Sequence, residues 1–270
     1  MNERTFQAMK RINLGGFSVQ YADKGNGPAV LFLHAFPLSL QMWDGQEALA
    51  PRYRIVRFDA RGFGGSDVGD AMLTMARIAD DAAVLIDRLR LGPVILVGCS
   101  MGGYAALSFA QKHPSLLRGL VLVDTRAGAD SKDARKGRGD LAAKVMKEGA
   151  VAALDAFLPK VVGETTKASR ADVIAKLRDT MLKTSPQGIS DGLHGIATRQ
   201  DSTPLLREIT VPTLVVCGEE DVITPRAEAE ILQRGIKGAE LAMIPKAGHL
   251  PSMETPDEFN QVLKTFLARF

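Results

Sequence analysis

The sequence has few cysteines, few histidines, no long apolar run and no strong charge of either sign. Its 270 residues include two cysteines and four histidines, so neither a disulfide framework nor a clustered metal site is expected. The 34 basic and 31 acidic residues leave a net charge of +3, which does not favour nucleic acid as a partner. Apolar runs such as Ala29–Leu33 and Val94–Val97 are too short to span a bilayer. These absences favour a globular protein that acts on a small molecule, without a nucleic-acid or membrane partner.

Two further features bear on where the protein works. The first residues, Met1–Arg4, lack the apolar segment of a secretory signal. Two cysteines also suit a reducing compartment better than an oxidising one. We therefore expect a cytoplasmic location.

Short apolar runs alternate with helical patterns along most of the chain. Uniformly apolar runs are typical of strands buried on both faces of a sheet. Apolar residues recur at helical spacing over 78–89 and again over 259–270. This alternation predicts an α/β fold with a mostly parallel central sheet and helices on both faces. The predicted strands are Ile12–Leu14 and Phe17–Ala22 (a hairpin through Gly15 and Gly16), Ala29–Leu33, Ile55–Phe58, Val94–Val97, Leu120–Val123, Thr213–Cys217 and Leu241–Ile244.

One stretch, from about residue 125 to residue 206, contains no predicted strand. Helical patterns lie around Leu141–Glu148, Val151–Leu158 and Ala171–Leu182, with helix breakers at Pro159, Gly163 and Pro186. We predict a core of residues 1–124 and 207–270, with residues 125–206 inserted as a helical cap. Such a cap would cover the carboxyl edge of the sheet, where open α/β sheets bind ligands. Ordinary crossover helices without a substrate role are the alternative.

The most specific motif is the segment Gly98–Gly103, which follows a predicted strand and opens a helical pattern. A serine on an abrupt turn from strand to helix has a strained backbone, and side chains two residues before and after it would collide. Gly98 and Gly102 remove those side chains. The turn would expose the hydroxyl of Ser100, and the helix that begins at Met101 would direct free N–H groups toward negative charge.

A serine hydroxyl needs a base to become a nucleophile, and the base needs an acid to orient it. His249 follows the last predicted strand, so it should lie at the same sheet edge as Ser100. Residues 218–225 follow the strand before it and contain three acids. The candidates for the orienting acid are Asp221, Glu219, Glu220 and, after an earlier strand, Asp124.

The order of Ser100, Asp221 and His249, each after a strand, resembles the α/β-hydrolase fold. The resemblance spans essentially the whole chain. It implies Ser100 as nucleophile, Asp221 as acid and His249 as base. The segment His34–Pro37 resembles the family's oxyanion loop, which implies that the backbone N–H groups of Phe36 and Met101 bind the oxyanion.

Two further implications come with the family. The segment Asp59–Ser66 resembles the family's D-x-R-G-x-G-x-S loop, which implies a structural turn rather than a phosphate site. His34, beside the oxyanion loop, is expected to brace that loop by hydrogen bonding rather than to act as a base.

These residues predict a serine hydrolase that needs no metal or cofactor. The expected reaction is cleavage of small carboxylic esters or lactones through an acyl-enzyme intermediate. Relatives with the same triad include cofactor-free perhydrolases and carbon–carbon bond hydrolases, which remain alternative activities. A ligand-binding protein that keeps the fold without turnover is the alternative from a different functional class.

Overall fold

A computed structural model describes residues 9–69 and 72–270; Met1–Arg4, and with them the expectation about a signal segment, lie outside these residues. Eight strands form one sheet in the order β1-β2-β4-β3-β5-β6-β7-β8. Strands β3 to β8 are parallel to one another, whereas β2 runs antiparallel to β1 and β4. The strands are β1 (Lys10–Asn13), β2 (Ser18–Lys24), β3 (Ala29–Leu33), β4 (Arg54–Phe58), β5 (Val94–Cys99), β6 (Leu117–Val123), β7 (Thr213–Gly218) and β8 (Glu240–Ile244).

The described residues also form ten α-helices and three 3₁₀ helices. The 3₁₀ helices cover Leu40–Leu49, Pro114–Leu116 and Thr203–Glu208. None of the helices in the described part of the chain is both long and apolar enough to cross a membrane. The α-helices are α1 (Met75–Arg88), α2 (Met101–Lys112), α3 (Lys132–Glu148), α4 (Val151–Phe157), α5 (Glu164–Ser169), α6 (Ala171–Lys183), α7 (Pro186–Ala197), α8 (Arg226–Gly235), α9 (Pro251–Glu254) and α10 (Pro256–Leu267).

The central strands are apolar throughout because helices cover both faces of the sheet. Along β3, Leu31 and Leu33 pack into a core that includes α1 and α2. Val30 and Phe32, whose side chains point the other way, pack into a second core that includes α10. This arrangement confirms the predicted α/β fold with a mostly parallel sheet.

The amphipathic helices lie where their apolar spacing predicts them. Thr74 caps α1, since its side chain accepts a hydrogen bond from the Arg77 N–H at 3.1 Å. Buried residues of α1 include Ile78 and Leu85, which share one face. In α10, the buried residues Phe259, Leu263, Phe266 and Leu267 follow the same helical spacing.

Five α-helices, α3 to α7, and the 3₁₀ helix Thr203–Glu208 separate β6 from β7 along the chain. Helix α7 is not among the predicted helices, because Pro186 by itself indicates only a helix break. Pro186 is instead the first residue of α7, where its missing N–H costs no helical hydrogen bond. Ser185 caps this helix by accepting a hydrogen bond from the Gly188 N–H at 3.0 Å. Gly163, the second predicted breaker, likewise precedes α5 as its N-cap.

Candidate active site

Ser100 lies on a sharp turn between β5 and α2. Its φ of +52° and ψ of −112° lie in a region that residues other than glycine rarely adopt. A Cβ atom on Gly98 would lie 2.3 Å from the Gly102 carbonyl oxygen, and one on Gly102 would lie 2.2 Å from the Leu33 carbonyl oxygen. Gly98 therefore lets the chain turn this tightly, and Gly102 lets the first turn of α2 pack directly against the end of β3. The turn holds the half-buried Ser100 at the carboxyl edge of the parallel strands.

Asp221 and His249 form a buried hydrogen-bonded pair at the same edge. The His249 Nδ1 atom lies 2.9 Å from Asp221 Oδ2. Asp221 also accepts hydrogen bonds from the backbone N–H groups of Ile223 (2.7 Å) and Thr224 (3.2 Å) and from the Thr224 hydroxyl (2.5 Å). Burial by itself would raise the Asp221 pKa, but the charge of His249 and these hydrogen bonds outweigh burial and lower the pKa. The carboxylate is therefore ionised at neutral pH.

The loop that carries His249 runs beside the Ser100 turn. The Cys99 thiol, one residue before Ser100, faces the His249 carbonyl oxygen as a hydrogen-bond donor at 3.7 Å. The Glu220 N–H donates to the Ala247 carbonyl at 2.8 Å, which ties the acid loop to the histidine loop. Ser100 Oγ and His249 Nε2 make no hydrogen bond to any residue that the structure describes. Catalytic hydrogen bonds of this kind are often long before substrate binds.

The three other candidate acids have different partners. Asp124 Oδ1 accepts a hydrogen bond from the Gly218 N–H at 2.8 Å, and Glu220 accepts two from Thr165. Glu219 is exposed. Among the four candidates, Asp221 is the one that contacts the His249 ring.

Asp124 is nevertheless close to Asp221. Ligand atoms of Asp124, Cys217 and Asp221 all lie within 4.8 Å of one another, and all three residues are buried. Asp221 already accepts four hydrogen bonds, which leaves little of its carboxylate for a metal ion. Burial, and then the neighbouring Asp221 charge, raise the Asp124 pKa well above its ordinary value. The raised pKa reflects the cost of placing a second buried negative charge beside Asp221.

The two candidate oxyanion donors lie on neighbouring segments. Leu33, His34, Met101 and Gly102 line one narrow gap, so the loop after β3 borders the first turn of α2. The backbone N–H groups of Phe36 and Met101 donate to no residue in the described part of the chain. The Phe36 ring packs against Phe157 of α4, with ring centroids 5.3 Å apart, so α4 reaches this loop.

His34 braces the loop, as expected. Its Nδ1 donates to the Ala35 carbonyl at 3.0 Å, and its Nε2 accepts from the Ala60 N–H at 3.0 Å. Burial lowers the His34 pKa to about 4. The ring is therefore neutral at pH 7, and its hydrogen bonds require the neutral form.

The low His34 pKa predicts a loss of stability in acid. The unfolded chain binds a proton at His34 near the ordinary histidine pKa of 6.5, whereas the folded chain binds it only near 4. His34 therefore makes its full contribution to the free energy of unfolding above pH 6.5. This contribution, about 3 kcal/mol, is lost as the pH falls toward 4. The free energy of unfolding of wild type, measured by urea denaturation relative to a folded His34→Gln variant, should fall by about 3 kcal/mol between pH 7 and pH 4. The exposed His194→Gln variant is the control and should show the same fall; an equal loss in all three proteins would contradict the prediction.

The segment Asp59–Ser66 forms a hydrogen-bonded turn. Asp59 accepts hydrogen bonds from the N–H groups of Leu40 (2.6 Å) and Gly65 (2.9 Å), and the Ser66 hydroxyl donates to the Asp59 carbonyl at 2.7 Å. No helix begins within this segment, so it lacks the N-terminal amides of a phosphate site.

Sequence reasoning missed two residues of the site. Thr224 donates to Asp221 and lies 3.2 Å from His249 Nδ1. Its spacing of three residues from Asp221 is a signal that could have identified it. Glu254 accepts hydrogen bonds from the residues on either side of His249. No local pattern indicates that contact.

Comparison with known proteins identifies the family of this chain. Residues 28–256 match the family of the α/β-hydrolase fold. The chain belongs to the α/β-hydrolase fold family. Family membership, together with esterase and lactonase relatives, indicates a hydrolase.

Three relatives illustrate the similarity. A thermophilic esterase from Thermogutta terrifontis, solved with malate bound, is 38% identical, with a TM-score of 0.93 over 97% of this chain and 98% of that chain. An enol-lactonase from Burkholderia xenovorans is 27% identical, with a TM-score of 0.89 over 96% of this chain and 100% of that chain. A 3-oxoadipate enol-lactonase from Acinetobacter baylyi is 25% identical over 94% of both sequences. The fold is thus shared with enzymes that are named as an esterase and as enol-lactonases.

Proposed function

We propose that this protein hydrolyses small carboxylic esters or lactones through an acyl-enzyme intermediate on Ser100. The observation that carries the proposal is the buried pair of Asp221 and His249, 2.9 Å apart, beside the strained Ser100 turn. A serine on such a turn next to a histidine whose other nitrogen is held by a carboxylate is suited to acyl transfer.

The proposed reaction has two halves. Ser100 Oγ attacks the carbonyl carbon while His249 Nε2 takes the hydroxyl proton. His249 then gives that proton to the leaving alcohol oxygen as the ester bond breaks. In the second half, His249 takes a proton from water, the resulting hydroxide attacks the acyl carbon, and the proton returns to Ser100. Asp221 remains ionised throughout and holds the Nδ1–H tautomer of His249.

Each half passes through a tetrahedral intermediate with a negative oxygen. We assign its binding to the backbone N–H groups of Phe36 and Met101. One such donor contributes about 3 kcal/mol to the transition state in comparable enzymes. The α2 helix adds a partial positive charge at Met101.

The substrate class rests on the relatives and on the chemistry of the carbonyl group. An ester and a lactone react by the same attack and differ only in whether the alcohol leaves or stays attached to the acyl group. The relatives' names include both classes. We assign residues 125–206 as a cap, since Phe157 from this segment packs on Phe36.

A fluorophosphonate probe and a panel of esters and lactones test the proposal together. Wild type should be labelled covalently and should turn over p-nitrophenyl acetate. Ser100→Ala should lose labelling and at least about 10⁴-fold in kcat, because the nucleophile is absent. The matched control Ser108→Ala, two turns along α2, should behave as wild type. A wild-type protein that is neither labelled nor active on any member of the panel would instead be a ligand-binding protein.

A further inference from the structure

Glu254 is a buried acid whose partners are all backbone amides. Its side chain is 2% exposed. Oε1 accepts hydrogen bonds from the N–H groups of Gly248 (2.9 Å) and Leu250 (3.0 Å), and Oε2 accepts one from Gly163 (2.8 Å). A buried carboxylate is costly unless hydrogen bonds satisfy it, so these three amides and Glu254 depend on one another.

Two of these amides flank His249 directly. The peptide N–H groups of Gly248 and Leu250 stand immediately before and after the histidine. One carboxylate oxygen therefore sets the path of the main chain through residue 249. Because the direction of the Cα–Cβ bond follows from that path, Glu254 also sets where the imidazole points.

The third amide belongs to the inserted segment between β6 and β7. The backbones of Gly163 and Gly248 touch, and a Cβ atom on Gly248 would lie 2.2 Å from the Gly163 nitrogen. Such contact is possible only between residues without side chains. Glu254 bridges the two backbones at this point.

Glu220 makes a parallel contact beside the acid. Its Oε2 accepts a hydrogen bond from the Thr165 N–H at 2.8 Å, and its Oε1 accepts one from the Thr165 hydroxyl. Glu220 immediately precedes Asp221 in the chain. Residues 163–165 are thus joined by carboxylates to both the acid loop and the histidine loop.

We propose that Glu254 is a positioning residue for His249, and that Glu254 and Glu220 together fix residues 163–165 to the two loops that carry the proposed acid and base. The proposal rests on the proposed roles of His249 and Asp221. Glu254 touches no reacting atom and acts through the histidine loop.

The Glu254→Gln variant tests the positioning role. Glutamine has nearly the same shape but only one acceptor oxygen, so its NH₂ group must face one of the three N–H donors. We expect kcat for p-nitrophenyl acetate to fall about 10- to 100-fold with KM changed less than about twofold, since a misplaced base slows chemistry rather than binding. The matched control is Glu258→Gln, an exposed acid in the first turn of α10 and four residues after Glu254.

A spectroscopic measurement separates positioning from turnover. The proton between His249 Nδ1 and Asp221 should give a downfield proton NMR resonance in wild type and in Glu258→Gln. In Glu254→Gln this resonance should shift or broaden while circular dichroism stays native. A folded Glu254→Gln variant with unchanged kcat and an unchanged resonance would overturn the proposal. Failure of the hydrolase proposal would give a different result. Wild type would then be inactive but would still show the resonance, and Glu254→Gln would still shift or broaden it.

The Thr165→Val variant tests the contact between Thr165 and Glu220. This substitution changes no buried charged residue. Valine keeps the shape of the half-buried threonine but removes the hydroxyl that donates to Glu220. We expect kcat to fall about twofold or more with KM unchanged. The exposed Thr265→Val on α10 is the control. A kcat equal to that of wild type would overturn the proposed link between residues 163–165 and the acid loop, even if Glu254→Gln failed to fold.

Discussion

Replacing Asp221 with asparagine is expected to lower kcat for p-nitrophenyl acetate by about 10⁴-fold, as the same change does in other serine triads. The asparagine NH₂ group would donate toward His249 Nδ1 and select the tautomer that carries its proton on Nε2. That tautomer cannot accept the Ser100 proton. The fold should survive, because the replacement has nearly the same shape.

Two neighbouring acids provide controls for Asp221→Asn. Glu219→Gln changes an exposed acid two residues away and should leave kcat within about twofold of wild type. Asp124→Asn should have a far smaller effect than Asp221→Asn, because the His249 ring is hydrogen-bonded to Asp221, whereas the partner of Asp124 is the Gly218 N–H. A large loss in Asp124→Asn together with a mild one in Asp221→Asn would assign the orienting acid to Asp124 instead.

Replacing Gly102 with alanine is expected to lower the free energy of unfolding by about 3 kcal/mol. The added methyl carbon would lie 2.2 Å from the Leu33 carbonyl oxygen and 2.6 Å from its carbonyl carbon. Both atoms belong to the backbone of a central strand, so neither can move aside cheaply. The Ser100 turn must distort to accommodate the methyl group, and labelling by a fluorophosphonate should fall as well.

Gly137 on α3 is the matched control for Gly102. Both are helical glycines, but a Cβ atom on Gly137 has no neighbouring atom within 4 Å. Gly137→Ala should therefore stabilise the protein by about 0.5 to 1 kcal/mol through helix propensity. Urea denaturation measures both variants. Equal stabilities for Gly102→Ala and Gly137→Ala would contradict the tight packing between α2 and β3.

The sheet and its covering helices could be predicted because their signals are local. The apolar run of β3 indicates burial on both faces, and Leu31 and Val30 do pack into separate cores. The helical spacing in α10 likewise indicates one buried face. Helix α7 could not be predicted from the same pattern, because Pro186 both ends one helical pattern and opens the next.

The candidate site was only partly predictable. Ser100 has a strong local signal, since glycines flank it at the required spacing between a strand and a helix. Several acids follow strand ends, so strand order alone leaves Asp124 and Asp221 both open. Glu254 carries no such signal. Its partner Gly163 is distant in the sequence, and its partner Gly248 lies in a loop without a regular pattern.

By itself, the sequence determined the succession of strands, the main amphipathic helices and the presence of a strained serine turn, because each depends on residues that are neighbours in the chain. Only the tertiary structure decided that Asp221 faces His249 and that Glu254 holds the histidine loop. The physical reason is that hydrogen bonds act over about 3 Å. Which groups come that close depends on how distant segments pack.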